Sequence, residues 1–109
     1  MARRNKYGAI KTKVDDITFH SKKEAARYVV LRDMLRDGLI TDLRLQVPYK
    51  IVINDILIAR WYADFVYFNS EGVETVEDVK SLATVKSPVY RIKKKCVEAL
   101  YGIRIFENI

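Results

Sequence analysis

The sequence predicts an α/β fold, one domain whose mixed sheet carries a helix on each face. Two observations carry this prediction. Segments 22–37 and 88–101 place apolar residues at helical spacing, each opened by a serine and closed by a glycine (Ser21 and Gly38, Ser87 and Gly102). Between and after them lie segments with the two-residue period of strands, separated by turn chemistry. At 109 residues there is room for one core. Residues 1–13 are expected to be a basic arm and residues 14–109 the single domain.

Taken in order, residues 11–14 and Ile17–Phe19 fit a short hairpin around Asp15-Asp16. Ser21-Lys22-Lys23-Glu24 has the form of a capping box: the serine oxygen accepts a backbone N–H and the glutamate reaches back. Ala25, Tyr28, Val29, Leu31 and Leu35 then supply the apolar stripe of the first helix. Leu43, Leu45, Val47, Tyr49, Ile51 and Ile53 alternate with mostly polar residues, and Pro48 among them predicts an edge strand or a bulge. Asn54-Asp55 marks a tight turn into a long strand, residues 56–68. Asn69-Ser70-Glu71-Gly72 turns the chain into a third strand, residues 73–80. Ser87-Pro88 opens the second helix, with Val89, Ile92, Cys96, Ala99 and Leu100 as its expected buried stripe. Ile103-Arg104-Ile105-Phe106 is a last strand, expected parallel to the third because a helix joins them. The order after the arm is α-β-β-β-α-β.

Composition excludes several classes. No apolar run approaches the ~18–20 residues that span a bilayer, and the basic N-terminus lacks the apolar stretch of a secretory signal. One cysteine, Cys96, leaves no internal disulfide framework and fits a reducing cytoplasm; its place in the apolar stripe marks it as core. The one histidine, His20, argues against zinc or histidine-based catalysis. There is no glycine-rich phosphate loop, so a nucleotide-triphosphate motor is not supported and no nucleotide cofactor is expected. Net charge is +6, unevenly spread. Arg3, Arg4, Lys6, Lys11 and Lys13 stand in the arm without an acid, as do Lys86, Arg91, Lys93, Lys94 and Lys95 within residues 86–95. Two acid-free basic patches point to a polyanion, nucleic acid first of all.

The chemistry is concentrated on two strands. Asp64 lies in Trp61-Tyr62-Ala63-Asp64-Phe65-Val66-Tyr67, an aromatic run that offers an ionised carboxylate no evident partner. Asp78 and Lys80 are two apart and so share a face of the next strand. Two carboxylates in an apolar setting repel each other, and a hard divalent cation such as Mg2+ or Mn2+ relieves that repulsion. A lysine beside them suits an attacking hydroxide or a phosphate oxygen. The alternative reading of the same spacing is a cross-strand ion pair of Asp64 with Lys80, with Asp78 facing solvent.

Asp64 followed by Asp78-Val79-Lys80, in α-β-β-β-α-β order, resembles the PD-(D/E)xK nuclease superfamily. More closely, the chain resembles a small phage-encoded family without an assigned function, through Lys6-Tyr7-Gly8, Ser21-Lys22-Lys23-Glu24-Ala25, Gln46, residues 62–67, Glu77-Asp78-Val79-Lys80 and the basic helix at residues 90–95. The same ordered features are similar to phage junction-resolving endonucleases and transposon-end nucleases. The resemblance implies a restriction-endonuclease-like core and hydrolysis of DNA phosphodiesters, on branched or Holliday-junction DNA among others, in a bacterial cytoplasm infected by phage or carrying a prophage. It implies Mg2+ held by Asp64 and Asp78 with the Val79 carbonyl, Lys80 orienting water, and Glu24 binding a second metal or positioning water. Gln46 would reach the site from the first long strand, and Glu77 is the reserve ligand if a bulge exchanges it with Asp78. Arg3, Arg4, Lys6, Lys86, Tyr90, Arg91, Lys94 and Lys95 would follow DNA phosphates, and a homodimer would supply two sites for two strands. Ala63 stands where the superfamily's proline would be, and Asp78 is one methylene shorter than glutamate. Two further readings remain open: a DNA-binding accessory protein on the same fold without turnover, and an interaction module for an acidic partner.

Overall fold

The computed structural model describes residues 10–109; Arg3, Arg4 and Lys6 of the arm lie outside the described residues. The chain divides into two compact units, one ending at Ile40 and the other spanning Thr41–Ile109. Each is described by itself.

In the first unit β1 (Thr12–Val14) pairs antiparallel with β2 (Ile17–Phe19), from Thr12↔Phe19 to Val14↔Ile17. The two turn residues, Asp15 and Asp16, both have positive φ (51° and 62°), which aspartate tolerates better than most residues. Helix α1 (Lys22–Arg36) begins where the serine signal places it: Ser21 Oγ accepts the Glu24 N–H at 3.1 Å. It ends in a Schellman motif, in which the Gly38 N–H reaches the Leu35 carbonyl and the Leu39 N–H reaches the Met34 carbonyl. Gly38 has φ +76°, a conformation cheap only for glycine. Ala25, Tyr28 and Leu31 are buried as the spacing predicts, but Leu35 is exposed and Glu24 is buried instead. Tyr28 stacks near Phe19, with ring centroids 5.1 Å apart, and its hydroxyl donates to Asp15 Oδ2, which Arg32 also binds at 3.0 Å.

The second unit is a four-stranded mixed sheet in the order β3-β4-β5-β6, formed by Thr41–Ile53, Ile56–Phe68, Glu74–Val79 and Ile105–Asn108. The first two pairings are antiparallel and β5–β6 is parallel, as the helical connection requires. The strand carrying Pro48 is an edge strand, and Pro48 itself stays in register with Tyr62. Register shifts occur elsewhere, between Thr41 and Arg44 and between Ile51 and Val52. Asn54 and Asp55 make the two-residue turn with positive φ. Asn69 holds the next turn, its side-chain oxygen accepting the Glu71 and Val73 N–H groups.

A short helix absent from the expected order, α2 (Leu82–Val85), is capped by Ser81 and precedes α3 (Pro88–Tyr101). Ile51, Trp61, Ala63, Val66, Val76, Val97 and Ile105 form the core of this unit. Cys96 packs partly buried against that core. Tyr101 closes one end, edge-on to Tyr49 at 5.0 Å and donating to the Lys50 carbonyl. The face that α3 buries differs from the expected one. Val89 and Ile92 are each 63% exposed and Leu100 is exposed, while Tyr90 and Val97 are buried. The helix is turned by about one residue, roughly 100° at 3.6 residues per turn. No described helix is long and apolar enough to cross a membrane.

Candidate active site

The site forms where β4 and β5 part. Their ladder runs from Phe68↔Glu74 to Phe65↔Glu77 and stops there, whereas β5 stays paired with β6 as far as Val79↔Asn108. The Asp64 carboxylate enters the opening and substitutes for a ladder carbonyl: its Oδ2 accepts the Val79 N–H at 2.8 Å. Its Oδ1 accepts Gln46 Nε2, also at 2.8 Å. Asp64 therefore has the partners that its aromatic surroundings in the sequence did not reveal.

Gln46 reaches Asp64 from a strained backbone. It sits mid-strand with φ +50°, and the pairs on either side, Leu45↔Phe65 and Val47↔Ala63, are intact. A non-glycine residue in that region costs on the order of 1 kcal/mol. The contact to Asp64 is what the strained residue makes.

Asp78 is fully buried. Lys80 Nζ donates to its Oδ1 at 3.1 Å and stands 3.6 Å from Asp64 Oδ2, so one ammonium bridges both acids. The same nitrogen lies 3.4 Å from the Val79 carbonyl oxygen. Asp78 Oδ2 is buried with no hydrogen-bond partner among the described residues. Burial pushes the Asp78 carboxyl up to about 7; the neighbouring Asp64 charge adds to the rise and Lys80 opposes it.

Tyr90 closes the far side, its ring centroid 6.0 Å from Lys80 Nζ. Its hydroxyl donates to Glu107 Oε2 at 2.9 Å. Burial, then the Asp78 charge, raises the phenol's pKa, so it remains a donor. Lys94 binds the other Glu107 oxygen at 2.9 Å. Burial works against ionisation of Glu107, but its bonds from Lys94 and Tyr90 prevail and lower its pKa.

Of the residues expected at the site, Asp64, Asp78, Val79, Lys80 and Gln46 come together. Glu77 does not. The β4–β5 register is continuous through it, without a bulge, so alternation turns it away from Asp78. It accepts from the Tyr67 hydroxyl at 2.9 Å and from Asn108 Nδ2 at 3.4 Å. Glu24 belongs to the first unit, where its N–H completes the helix cap. Lys86, Arg91, Lys94 and Lys95 line one cleft. Tyr90, expected on the open basic face, is buried against the acids instead. Glu107 was missed: it is brought beside Asp78 by the parallel register Asp78↔Glu107, a long-range pairing that no local signal announces.

The chemistry available is that of two adjacent carboxylates sharing one cation, with an acceptor oxygen left over. No curated protein matches the chain. A family model described as protein of unknown function (DUF1064) matches residues 4–105, and the chain belongs to that family.

Proposed function

We propose that the chain is a Mg2+-dependent DNA endonuclease of the PD-(D/E)xK kind, working at Asp64, Asp78 and Lys80. The observation that carries this reading is the buried Asp78 Oδ2, which has no hydrogen-bond partner among the described residues, beside a second carboxylate. An acceptor left without a partner in a buried site carries a cost of about 1–3 kcal/mol, which a cation removes. The donor set fits magnesium: two aspartates and the Val79 carbonyl are hard oxygen ligands, and Mg2+ keeps several of its waters. Among the described residues no group of three or more His, Cys, Asp or Glu side chains is placed to hold a metal ion, so the protein's side-chain ligands in this reading are Asp64 and Asp78 alone.

When bound, the ion would supply Lewis acidity at a phosphate oxygen and a more acidic water. The chain's own residues do the rest. Gln46 and the Val79 N–H fix the Asp64 carboxylate in one rotamer. Lys80, held between the acids, orients the attacking water and offsets charge gathering on the phosphate. Attack at phosphorus breaks the bond to the 3′ oxygen, leaving a 5′-phosphate and a 3′-hydroxyl. Cutting both strands calls for two sites, so the reading includes a homodimer.

One observation favours a second reading. Lys80 already bridges the two acids, and a triad closed in this way would suit a DNA-binding accessory protein without turnover. Incubation with junction, flap, single-stranded and linear duplex DNA, in Mg2+ and in EDTA, separates the two. The endonuclease cuts at least one substrate in Mg2+ and none in EDTA. Binding without any cutting, in Mg2+ or Mn2+, would favour the accessory protein.

A further inference from the structure

We propose that the cleft lined by Lys86, Arg91, Lys94, Lys95, Glu98 and Glu107 binds a phosphomonoester, the group carried by a 5′-phosphorylated strand end or by a nucleoside monophosphate. The cleft encloses about 380 Å3, the size of a small-ligand site. Arg91 and Lys95 stand one helical turn apart on α3, and Lys86 caps α2 at the other wall. Lys86, Arg91 and Lys95 have no ion-pair partner among the described residues.

The two acids in the lining are already engaged. Glu107 is held by Lys94 and Tyr90, and Glu98 Oε2 accepts the Ile105 N–H at 2.8 Å. Four cations against two carboxylates leave two positive charges in excess. A phosphomonoester carries a charge of about −1.5 to −2 near neutral pH, which matches that excess, whereas a phosphodiester carries one. Glu107 is the register partner of Asp78, which sets the cleft one strand away from the acid pair. The inference rests on the cleft's own charges and needs neither metal nor cleavage.

The test is binding in EDTA at physiological ionic strength, using a short fluorescent single strand with either a 5′-phosphate or a 5′-hydroxyl. The phosphorylated strand should bind at least about fivefold tighter. Arg91→Gln and Lys95→Gln together, and Lys86→Gln separately, should shrink that ratio toward one, with thermal melting unchanged because all three side chains are exposed. Asp64→Asn should keep it. Thymidine 5′-monophosphate should compete and thymidine should not; an inorganic phosphate arm tells a free anion from a nucleotide. Equal affinity for the two strands overturns the proposal, as does a preference that survives the Arg91 and Lys95 substitutions.

Discussion

Glu77 and Asp78 are neighbours on β5, both fully buried, and they do opposite things. Glu77 accepts a hydrogen bond from an uncharged described residue at each oxygen, Tyr67 on one side and Asn108 on the other. Asp78 has one oxygen on an ammonium and the other without a hydrogen-bond partner among the described residues. A buried carboxylate with neutral donors at both oxygens ties strands together. One left half-satisfied beside a second acid is costly until a cation arrives. Burial therefore says little about role; what each oxygen touches says more.

That contrast can be broken by substitution. Asp64→Asn or Lys80→Gln should lower Mg2+-dependent cleavage by about a thousandfold or more, the scale of losing a group that acts on the transition state. Salt-sensitive DNA binding should persist in both, and Glu77→Gln should cut at close to the wild-type rate. Cleavage assays with binding measured in parallel check this; equal losses in all three variants would erase the distinction.

Stability should split in the opposite sense. Glu77→Ala strands the Tyr67 hydroxyl and the Asn108 amide in a buried void and should cost about 3 kcal/mol. Asp78→Asn removes a charge that the fold desolvates, so in EDTA at pH 8 it should change stability by no more than about 1 kcal/mol, most simply upward. Denaturant melts of the two variants decide the point. A loss for Asp78→Asn as large as that for Glu77→Ala would make Asp78 an ordinary structural acid.

The pH dependence is the finer form of the same contrast. Asp78 titrates near 7 in the fold and near its ordinary value of 3.8 when unfolded. Between those values the native state binds more protons than the unfolded one, so this group makes stability fall as pH rises. In EDTA the melting temperature should drift down from about pH 4 toward pH 7 by a component that Asp78→Asn removes. An identical pH profile for wild type and Asp78→Asn would contradict the raised pKa.

Much of the backbone was legible because its signals are local. Ser21 and Gly38 fix the ends of α1 through bonds made within a few residues, and Asn69 fixes its turn in the same way. Pro88 opens α3 although Ser87 makes no side-chain cap bond, and Asn54-Asp55 turns the chain through positive φ. Asp64, Asp78 and Lys80 were legible as a set because strand alternation places the last two on one face. The rest depended on long-range register. Whether α3 buries Val89 and Ile92 or Tyr90 and Val97 is decided by the sheet it packs on: Val97 joins the core with Ile51, Trp61, Ala63 and Ile105, and the Tyr90 hydroxyl donates to Glu107. Gln46 was expected at the site through the resemblance alone; the left-handed backbone that brings it there mid-strand is one that no sequence rule predicts for glutamine. Glu77 required knowing that β5 carries no bulge.

Titration of Mn2+ into the metal-free protein, followed by calorimetry in the wild type and in Asp78→Asn, reaches the central claim without any DNA. One saturable site per chain that disappears in Asp78→Asn is the predicted result. No saturable binding to the wild type, or binding that Asp78→Asn leaves untouched, would contradict it.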